Sequence, residues 1–254
     1  MRLTTRPVNV GLRYANPTYS LPTASSPMNV QDSIAAEFDQ FSGNYTEDMT
    51  KCVPHYPKLL SCFSGCLPDD LSPDAVLDLG CGNGNVTALL LNRFPHAHYT
   101  LLDASPEMLA LCKQRFAGKN VTCIESYFRD YHFPRRRFDL ITASFSLHHL
   151  DSGEKQWIFP VLFDALKPGG LFTCSDLMIS KHHDQYETLC EEWRLFVNAH
   201  YPDEEKWKWL MEHHRIYDHP EDYETQKRGL LRAGFREVSI GWNDGYWMYF
   251  TARK

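Results

Sequence analysis

The chain has 254 residues, of which 43% are hydrophobic and 23% charged, an ordinary globular composition with enough length to bury one core. Its formal charge of −6, from 26 basic and 32 acidic side chains, disfavours nucleic acid as the main partner. The sequence has no apolar run of membrane-spanning length, the pattern of residues 1–27 is not that expected of a secretory signal, and the eight scattered cysteines lack any C-x-x-C spacing. We therefore predict a cytoplasmic protein with reduced thiols, organised as a single domain.

The first part of the chain divides into an arm and a helical cap. Residues 1–29 are rich in Pro, Ser, Thr and Asn without any period, which predicts a flexible arm. A helical pattern follows from Asp32, is broken at Gly43-Asn44, and resumes in a second helix over about 54–63. We predict that residues 30–72 form a helical cap on a domain covering 30–254. The expected mouth of a site is formed by Tyr45, Met49, Lys51 and Tyr56.

A strand, a glycine turn and a helix then follow within twenty residues. The apolar run at 76–79 predicts a buried strand, Gly80, Gly82 and Gly84 predict a turn that lets backbone approach a ligand, and 85–94 predicts a helix. The spacing is G-x-G-x-G, and Asn85 stands where a dinucleotide fingerprint has its third glycine. The turn therefore indicates a nucleoside ligand other than a dinucleotide.

The second predicted strand, 98–103, ends in a carboxylate. Asp103 lies 21 residues after Gly82, and an acidic residue there can bind both hydroxyls of a ribose. No Walker lysine accompanies the turn. The combination favours an adenosine ligand without phosphates, of which S-adenosylmethionine is the common example.

The remaining elements alternate in type. The pattern predicts helix 105–116 with Ser105 as N-cap, strands 121–124 and 138–145, helix 154–166 and strand 171–175. Residues 181–219, dense in aromatics and histidines, predict a helical insertion over the site, before helix 220–232 and strands 235–241 and 246–252. This order predicts an α/β fold with a doubly wound, mainly parallel seven-stranded sheet and ligands at the carboxyl ends of its strands.

Four segments together carry a family resemblance. Residues 76–87, 101–109, 138–150 and 165–175 resemble the successive motifs of class I S-adenosylmethionine-dependent methyltransferases, which have a Rossmann-like fold. The resemblance implies methyl transfer from S-adenosyl-L-methionine to a small-molecule acceptor through an O-, N- or C-nucleophile. Residues 144–147 read Ser-Phe-Ser-Leu rather than Asp/Asn-Pro-Pro-Tyr, which argues against methylation of nucleic-acid bases. The sequence does not decide the oligomeric state, and a homodimer is one assembly it allows.

The resemblance also implies a set of cofactor-binding residues. The glycine turn is expected to contact the methionyl part, Asp78 to orient the turn and the amino group, and Asp103 to hold the ribose. Tyr127 stands where the family often has an adenine-binding acid, so a stacking ring or a backbone carbonyl could replace that carboxylate. The full set is Tyr56, Asp78, Gly80, Cys81, Gly82, Asp103, Ala104, Tyr127, Phe128, Ser144 and Phe145.

His148 and His149, directly after the fourth strand, are the predicted catalytic residues. Histidine titrates near neutrality, so either ring suits a base that takes a proton from the acceptor. The alternative is that Leu-His-His-Leu is only a packing motif of the family. His182-His183-Asp184 and His213-His214 fit no standard zinc spacing, so no metal site is expected.

A closer resemblance gives a second reading. Residues 49–56 and 222–235 look like the carboxy-S-adenosylmethionine synthase branch. The resemblance implies a modified cofactor built from prephenate, with an arginine in the second segment holding the added carboxylate. Here that position is Gly229, with Arg228 adjacent. The alternatives are therefore cofactor modification of the synthase type and a non-catalytic S-adenosylmethionine-binding subunit.

Overall fold

The computed structural model describes residues 44–254, which contain eight α-helices and seven strands. The helices are α1 (Tyr45–Cys52), α2 (Tyr56–Gly65), α3 (Asn85–Arg93), α4 (Pro106–Arg115), α5 (Ser152–Ala165), α6 (Tyr186–His200), α7 (Glu205–Tyr217) and α8 (Tyr223–Ala233). The strands are β1 (Ala75–Leu79), β2 (His98–Asp103), β3 (Val121–Glu125), β4 (Phe138–Ser144), β5 (Leu166–Leu177), β6 (Arg236–Asp244) and β7 (Trp247–Arg253). A short 3₁₀ turn, Leu147–His149, follows β4.

The strands form one sheet in the order β3-β2-β1-β4-β5-β7-β6. Strands β1 to β5 are parallel, and β7 runs antiparallel to both β5 and β6. The chain leaves β1 toward β2 and β3 on one side and returns to β4 on the other. Ligands bind beyond the carboxyl ends of strands at such a switch point. The predicted fold class is confirmed.

Two apolar layers cover the sheet. One contains Leu59, Phe63, Leu90 and Trp193 and joins α2, α3, α4 and the insertion helices to the sheet. The other joins α5 and α8 to the opposite face around Phe159. Strand β1 is buried along its whole length, as expected for a central parallel strand read as a continuous apolar run.

Local signals set several element boundaries. Ser105 caps α4 by accepting a hydrogen bond from the Met108 amide, as predicted. Asp151 and Glu154 form a reciprocal capping box that starts α5. Strand β5 is longer than the predicted 171–175, because it pairs with β7 from Leu171 to Leu177.

The sequence pattern did not predict α1. This helix is held by distant partners: the Tyr201 hydroxyl donates to Asp48 at 2.7 Å, and Lys206 pairs with the same carboxylate at 3.0 Å. Residues 181–219 hold α6 and α7. The predicted arm 1–29, and the helical pattern from Asp32, lie outside the described residues.

Two sequence-level expectations concern the surface and the thiols. Within residues 44–254 no helix combines the length and apolarity needed to cross a membrane. All eight cysteines fall in this range and are free, as predicted.

Candidate functional site

The glycine turn after β1 is tightly enclosed. Gly80 has φ +68°, and a Cβ at this position would lie 2.4 Å from the Ser146 Cβ, so no side chain fits. The amides of Gly80 and Cys81 both donate to the Leu102 carbonyl, at 2.8 and 3.2 Å. The turn is therefore tied to β2.

Asp103 at the end of β2 joins the same turn. Its Oδ2 accepts the Gly82 amide at 2.8 Å, and its Oδ1 accepts the Ser105 amide at 2.9 Å. These two hydrogen bonds fix the orientation of the carboxylate beside the turn. Ala104 is half-buried next to it.

Asp78 places a second carboxylate beneath the turn. It is 1% exposed and accepts the hydroxyls of Thr87 at 2.6 Å and Thr142 at 3.1 Å. Burial raises its pKa to about 6 in spite of these two hydrogen bonds. A buried carboxylate that is costly to ionise is stabilised by a cation, such as the ammonium or sulfonium of the predicted ligand.

Two aromatic residues flank the turn. Phe128 packs against Gly80, with its Cζ 3.3 Å from the position of a Gly80 Cβ. Tyr127 lies further out, under the Arg129 guanidinium at 4.8 Å. The predicted adenine side of the site thus has a ring near the turn, contributed by Phe128.

The end of β4 is strained at Phe145, which has φ +51°. Non-glycine residues in this region of backbone space cost free energy and concentrate at functional positions. Its ring centroid lies 5.7 Å from Tyr56 on one side and 6.4 Å from His148 on the other. Ser144 Oγ lies 3.0 Å from Ser175 Oγ. Phe145 therefore separates the side of the turn from the side of the histidines.

Asn85 has a role that sequence reasoning missed. Its amide nitrogen donates to the Tyr56 hydroxyl at 3.1 Å, and its amide oxygen accepts Arg115 at 3.0 Å. It also lies 2.9–3.1 Å from the Thr46 hydroxyl. The side chain that replaces the third glycine thus joins α1, α2 and α4 to the turn.

A cavity of about 110 Å³ opens on the far side of Phe145. Its walls come from α1, the 3₁₀ turn, α6, α7 and β7. The lining residues are Tyr45, Asp48, Met49, Cys52, Val53, Phe145, His148, His149, Leu177, Trp193, Lys206, Trp209, Leu210, His213, His214, Asp218, Pro220 and Trp247. Of the predicted mouth residues, Tyr45 and Met49 line it, whereas Lys51 pairs with Glu47 and Tyr56 is buried beside Asn85.

One wall of the cavity is a cluster of histidines and carboxylates. His148 Nδ1 lies 2.5 Å from Asp176 Oδ1, and the His148 amide donates to Asp176 Oδ2 at 3.2 Å. Asp218 Oδ2 lies 2.7 Å from His214 Nδ1, whose ring reaches the Tyr186 hydroxyl through Nε2 at 2.8 Å. The two predicted catalytic histidines therefore lie in a fixed network.

The pKa values of the groups in this cluster are shifted in opposite directions. Burial lowers the pKa of His148, but the charges of Asp176 and Asp218 outweigh it and raise that pKa to about 9. Burial and the neighbouring His148 lower the pKa of His149 to about 4. Burial raises the pKa of Asp218, yet the charge of His148 and the contacts with His149 and His214 bring it well below its usual value.

A family model described as "Methyltransferase domain" matches residues 76–170. Residues 76–170 are therefore a methyltransferase domain. The match covers β1 to the start of β5, which includes the glycine turn, Asp103 and the paired histidines. Over these residues the predicted methyltransferase domain is confirmed.

Curated relatives agree over the same share of the chain. Trans-aconitate 2-methyltransferase of Escherichia coli O157:H7 is 41% identical over 98 residues, which is 39% of this chain and 37% of that protein. The chain thus matches well under half the length of these relatives.

Solved structures extend the likeness of the methyltransferase domain to the whole fold. Human N-acetylserotonin methyltransferase, solved with its S-adenosylmethionine, aligns with a TM-score of 0.61 at 18% identity, over 90% of this chain and 60% of that one. An S-adenosylmethionine-dependent methyltransferase of Leishmania major aligns with a TM-score of 0.62 at 17% identity, over 87% and 81%. At these identities the likeness concerns the fold alone.

Sequence reasoning missed most of the residues on the cavity side. Asp176 is the last residue but one of β5, as Asp103 is the last residue of β2, and that position near a strand end was the available signal. Trp193 and His213 belong to the aromatic-rich insertion that was predicted to lie over the site, whereas Asp218 gave no comparable signal, because only the packing of the insertion brings it to His148.

Proposed function

We propose that this protein transfers a methyl group from S-adenosylmethionine to a hydroxyl of a small, largely apolar acceptor. The observation that carries the proposal is the position of the cavity. It adjoins the strained Phe145 at the end of β4, with the glycine turn on one side of that ring and His148 on the other. Donor and acceptor would therefore meet beside Phe145, at the edge of its ring.

The residues around the turn fit the cofactor. The Gly80 position has positive φ and no room for a side chain, because Ser146 and Phe128 pack directly against it, so the turn keeps a glycine conformation. Asp78 offers a buried carboxylate for a cationic group, Asp103 an oriented carboxylate for the ribose, and Phe128 a ring for the adenine. Ser144 and Phe145 are proposed to face the methionyl carboxylate and the methyl group. When bound, S-adenosylmethionine supplies an electrophilic methyl group on a sulfonium.

The acceptor class follows from the cavity walls. Trp193, Trp209 and Trp247 give it aromatic surfaces, which suit an apolar or aromatic ligand. The carboxylates of Asp48 and Asp218 also line it, and they disfavour an acceptor with several negative charges. A cavity of about 110 Å³ on a chain of net charge −6 also favours a small molecule over nucleic acid.

Methyl transfer needs alignment and, for a hydroxyl acceptor, removal of a proton. The ring nitrogens of His148 and His149 lie at the cavity. The lowered pKa of His149 leaves that ring neutral near pH 7 and able to accept the proton, whereas the raised pKa of His148 keeps its ring protonated, as a hydrogen-bond donor to the acceptor. Asp176 holds His148 through both its ring and its backbone amide, which fixes the ring direction. We propose that these two histidines activate the acceptor.

The synthase-type alternative has weaker support. Arg228 is exposed and donates to Thr225 on its own helix, and a Cβ at Gly229 would lie 2.9 Å from the Phe159 ring. This helix packs on the face of the sheet that carries α5, and neither residue lines the cavity. An added carboxylate in the cavity would have no partner at either position.

Turnover to S-adenosylhomocysteine tests the proposal. The protein is incubated with S-adenosylmethionine and a panel of hydroxylated aromatic compounds, and products are followed by mass spectrometry. A gain of one methyl group on an acceptor, matched by S-adenosylhomocysteine, is expected. Cofactor binding with no turnover on any panel member would favour the non-catalytic subunit. A carboxylated cofactor formed with prephenate would favour the synthase.

A further inference from the structure

Three ring nitrogens converge on one carboxylate oxygen at the cavity wall. Asp218 Oδ1 lies 3.1 Å from His149 Nδ1, 3.6 Å from His148 Nε2 and 3.7 Å from His213 Nε2. We propose that His148, His149 and Asp218 bind a divalent transition metal ion, best Zn²⁺, with His213 placed as a fourth ligand.

The spacing matches a tetrahedral site. With zinc–nitrogen and zinc–oxygen bonds of about 2.0–2.1 Å, neighbouring ligand atoms are about 3.3 Å apart. The three distances to Asp218 Oδ1 bracket this value, and the donor atoms of His148, His149 and Asp218 all lie within 4.8 Å of one another. Only small side-chain movements would bring them around one ion.

The outer groups are those that support metal ligands. A ligating histidine usually gives its second nitrogen to a carboxylate, which fixes the ring. Here Asp176 holds His148 Nδ1 and leaves Nε2 directed to Asp218. His214 holds the other oxygen of Asp218 at 2.7 Å. Two of the proposed ligands are thus oriented by separate partners.

The backbone keeps the two ligand segments together. The His219 amide donates to the His148 carbonyl at 2.6 Å, joining the segment after α7 to the 3₁₀ turn. The proposed ligand side chains are only 10–14% exposed. Asp218 Oδ1 is buried and lies within 3.7 Å of three ring nitrogens, so an ion at their centre could bind all of them.

The local charge also allows a dication. Asp176 and Asp218 contribute two negative charges, and a bound ion would displace any proton from the ligating histidine nitrogens. Lys155 lies 4.0 Å from Glu221, and the Lys181 ammonium is held by the backbone carbonyls of His214 and Asp218. Neither lysine is directed to the converging nitrogens.

The proposed ion would adjoin the cavity, since all four ligand residues line it. Bound there, it would act as a Lewis acid that lowers the pKa of an acceptor hydroxyl. The histidine nitrogens would then hold the ion rather than take the proton themselves. This role rests on the proposed function, whereas metal binding itself would stand without any methyl transfer.

Elemental analysis of the full chain, expressed without a polyhistidine tag in zinc-supplemented medium, tests the site. We expect close to one zinc per chain. After removal by a chelator, added Co²⁺ is expected to give the visible absorption bands of a tetrahedral nitrogen–oxygen site. Asp218→Asn and His149→Ala are each expected to lower the metal content at least tenfold.

A second set of two histidines and one aspartate, contiguous in sequence at 182–184, provides the matched control. His182, His183 and Asp184 are exposed, so His182→Ala should keep full metal content. Circular dichroism checks that each variant folds. Folded full-length protein without zinc, and without cobalt bands after reconstitution, would overturn the proposal. Undiminished metal in both Asp218→Asn and His149→Ala would overturn it too, and neither result depends on S-adenosylhomocysteine formation.

Discussion

The two sides of Phe145 are built in different ways. The side of the glycine turn comes from consecutive strand ends, with Asp78, Gly80 and Asp103 within 26 residues of sequence. The cavity side is assembled across the chain: Trp193 donates to the Cys52 carbonyl over 141 positions, and Tyr201 reaches Asp48 over 153. The first side is set by local backbone geometry and the second by tertiary packing. Mutations on the cavity side should therefore lower the free energy of unfolding without changing cofactor affinity, whereas mutations in the turn should change cofactor affinity.

The largest effect is expected at Gly80, in the glycine turn, where one substitution should lower both the free energy of unfolding and cofactor binding. Gly80→Ala adds positive-φ strain and a Cβ 2.4 Å from Ser146. Strain of about 1 kcal/mol and overpacking of about 2 kcal/mol should lower the free energy of unfolding by about 3 kcal/mol. Cofactor binding should be lost as well. Urea unfolding and calorimetry measure the two quantities.

Gly118 separates the two causes. It also has positive φ, at +75°, but nothing lies within 4 Å of its Cβ position. Gly118→Ala should therefore cost only about 1 kcal/mol, from strain alone, and should leave cofactor affinity unchanged. Equal destabilisation by both substitutions would mean that the close contact with Ser146 does not limit the turn.

On the cavity side, Trp193 is the matching position. Trp193→Phe removes the donor to the buried Cys52 carbonyl, and an unpaired buried group costs roughly 1–3 kcal/mol. We expect the free energy of unfolding to fall by that amount, while cofactor affinity stays within about twofold because the turn is untouched. Trp157→Phe, at a 39% exposed residue of α5, serves as the control and should change neither quantity.

The difference between local backbone geometry and long-range packing also explains which features could be predicted from the sequence. The sheet, the glycine turn and Asp103 follow from apolar runs, glycines and strand ends, which are local patterns. Helix α1 escaped prediction because its stabilising contacts come from Tyr201 and Lys206. Asp218 escaped for a related reason, since it lies 69 or more positions from the histidines it meets at 148 and 149. The site assignments of the cofactor-binding residues stay predictions until a ligand is bound.

A smaller effect is expected from the ribose carboxylate. Asp103→Ala should weaken S-adenosylmethionine binding at least tenfold, about 1.4 kcal/mol, by removing the acceptor for the ribose hydroxyls and the partner of the Gly82 amide. Calorimetry measures this. Glu125→Gln is the control, because Glu125 is paired opposite Asp103 in the sheet but is exposed. Unchanged affinity in Asp103→Ala would remove the assigned ribose contact.

The smallest effect concerns pH and the buried Asp78. Its pKa is raised to about 6 by burial, so the ionised form that pairs with a cationic cofactor is complete only above that pH. Affinity for S-adenosylmethionine should fall about twofold at pH 6 relative to its plateau, and about tenfold at pH 5. Calorimetry across pH 5–8 measures it, and Asp78→Asn should bind more weakly with that step absent.

Stability should change in the opposite direction over the same pH window. The folded state holds the Asp78 proton more tightly than the unfolded chain, so the Asp78 contribution to the free energy of unfolding falls as pH rises from about 4 to about 6. Cofactor affinity rises over that interval, because the ligand's cation offsets the charge that destabilises the free protein. The difference between the protein and Asp78→Asn isolates this contribution from all other titrating groups. Stability and affinity that rose together with pH would show that Asp78 is held by its neighbours in the charged form, and that it does not serve as the counter-charge of the cofactor.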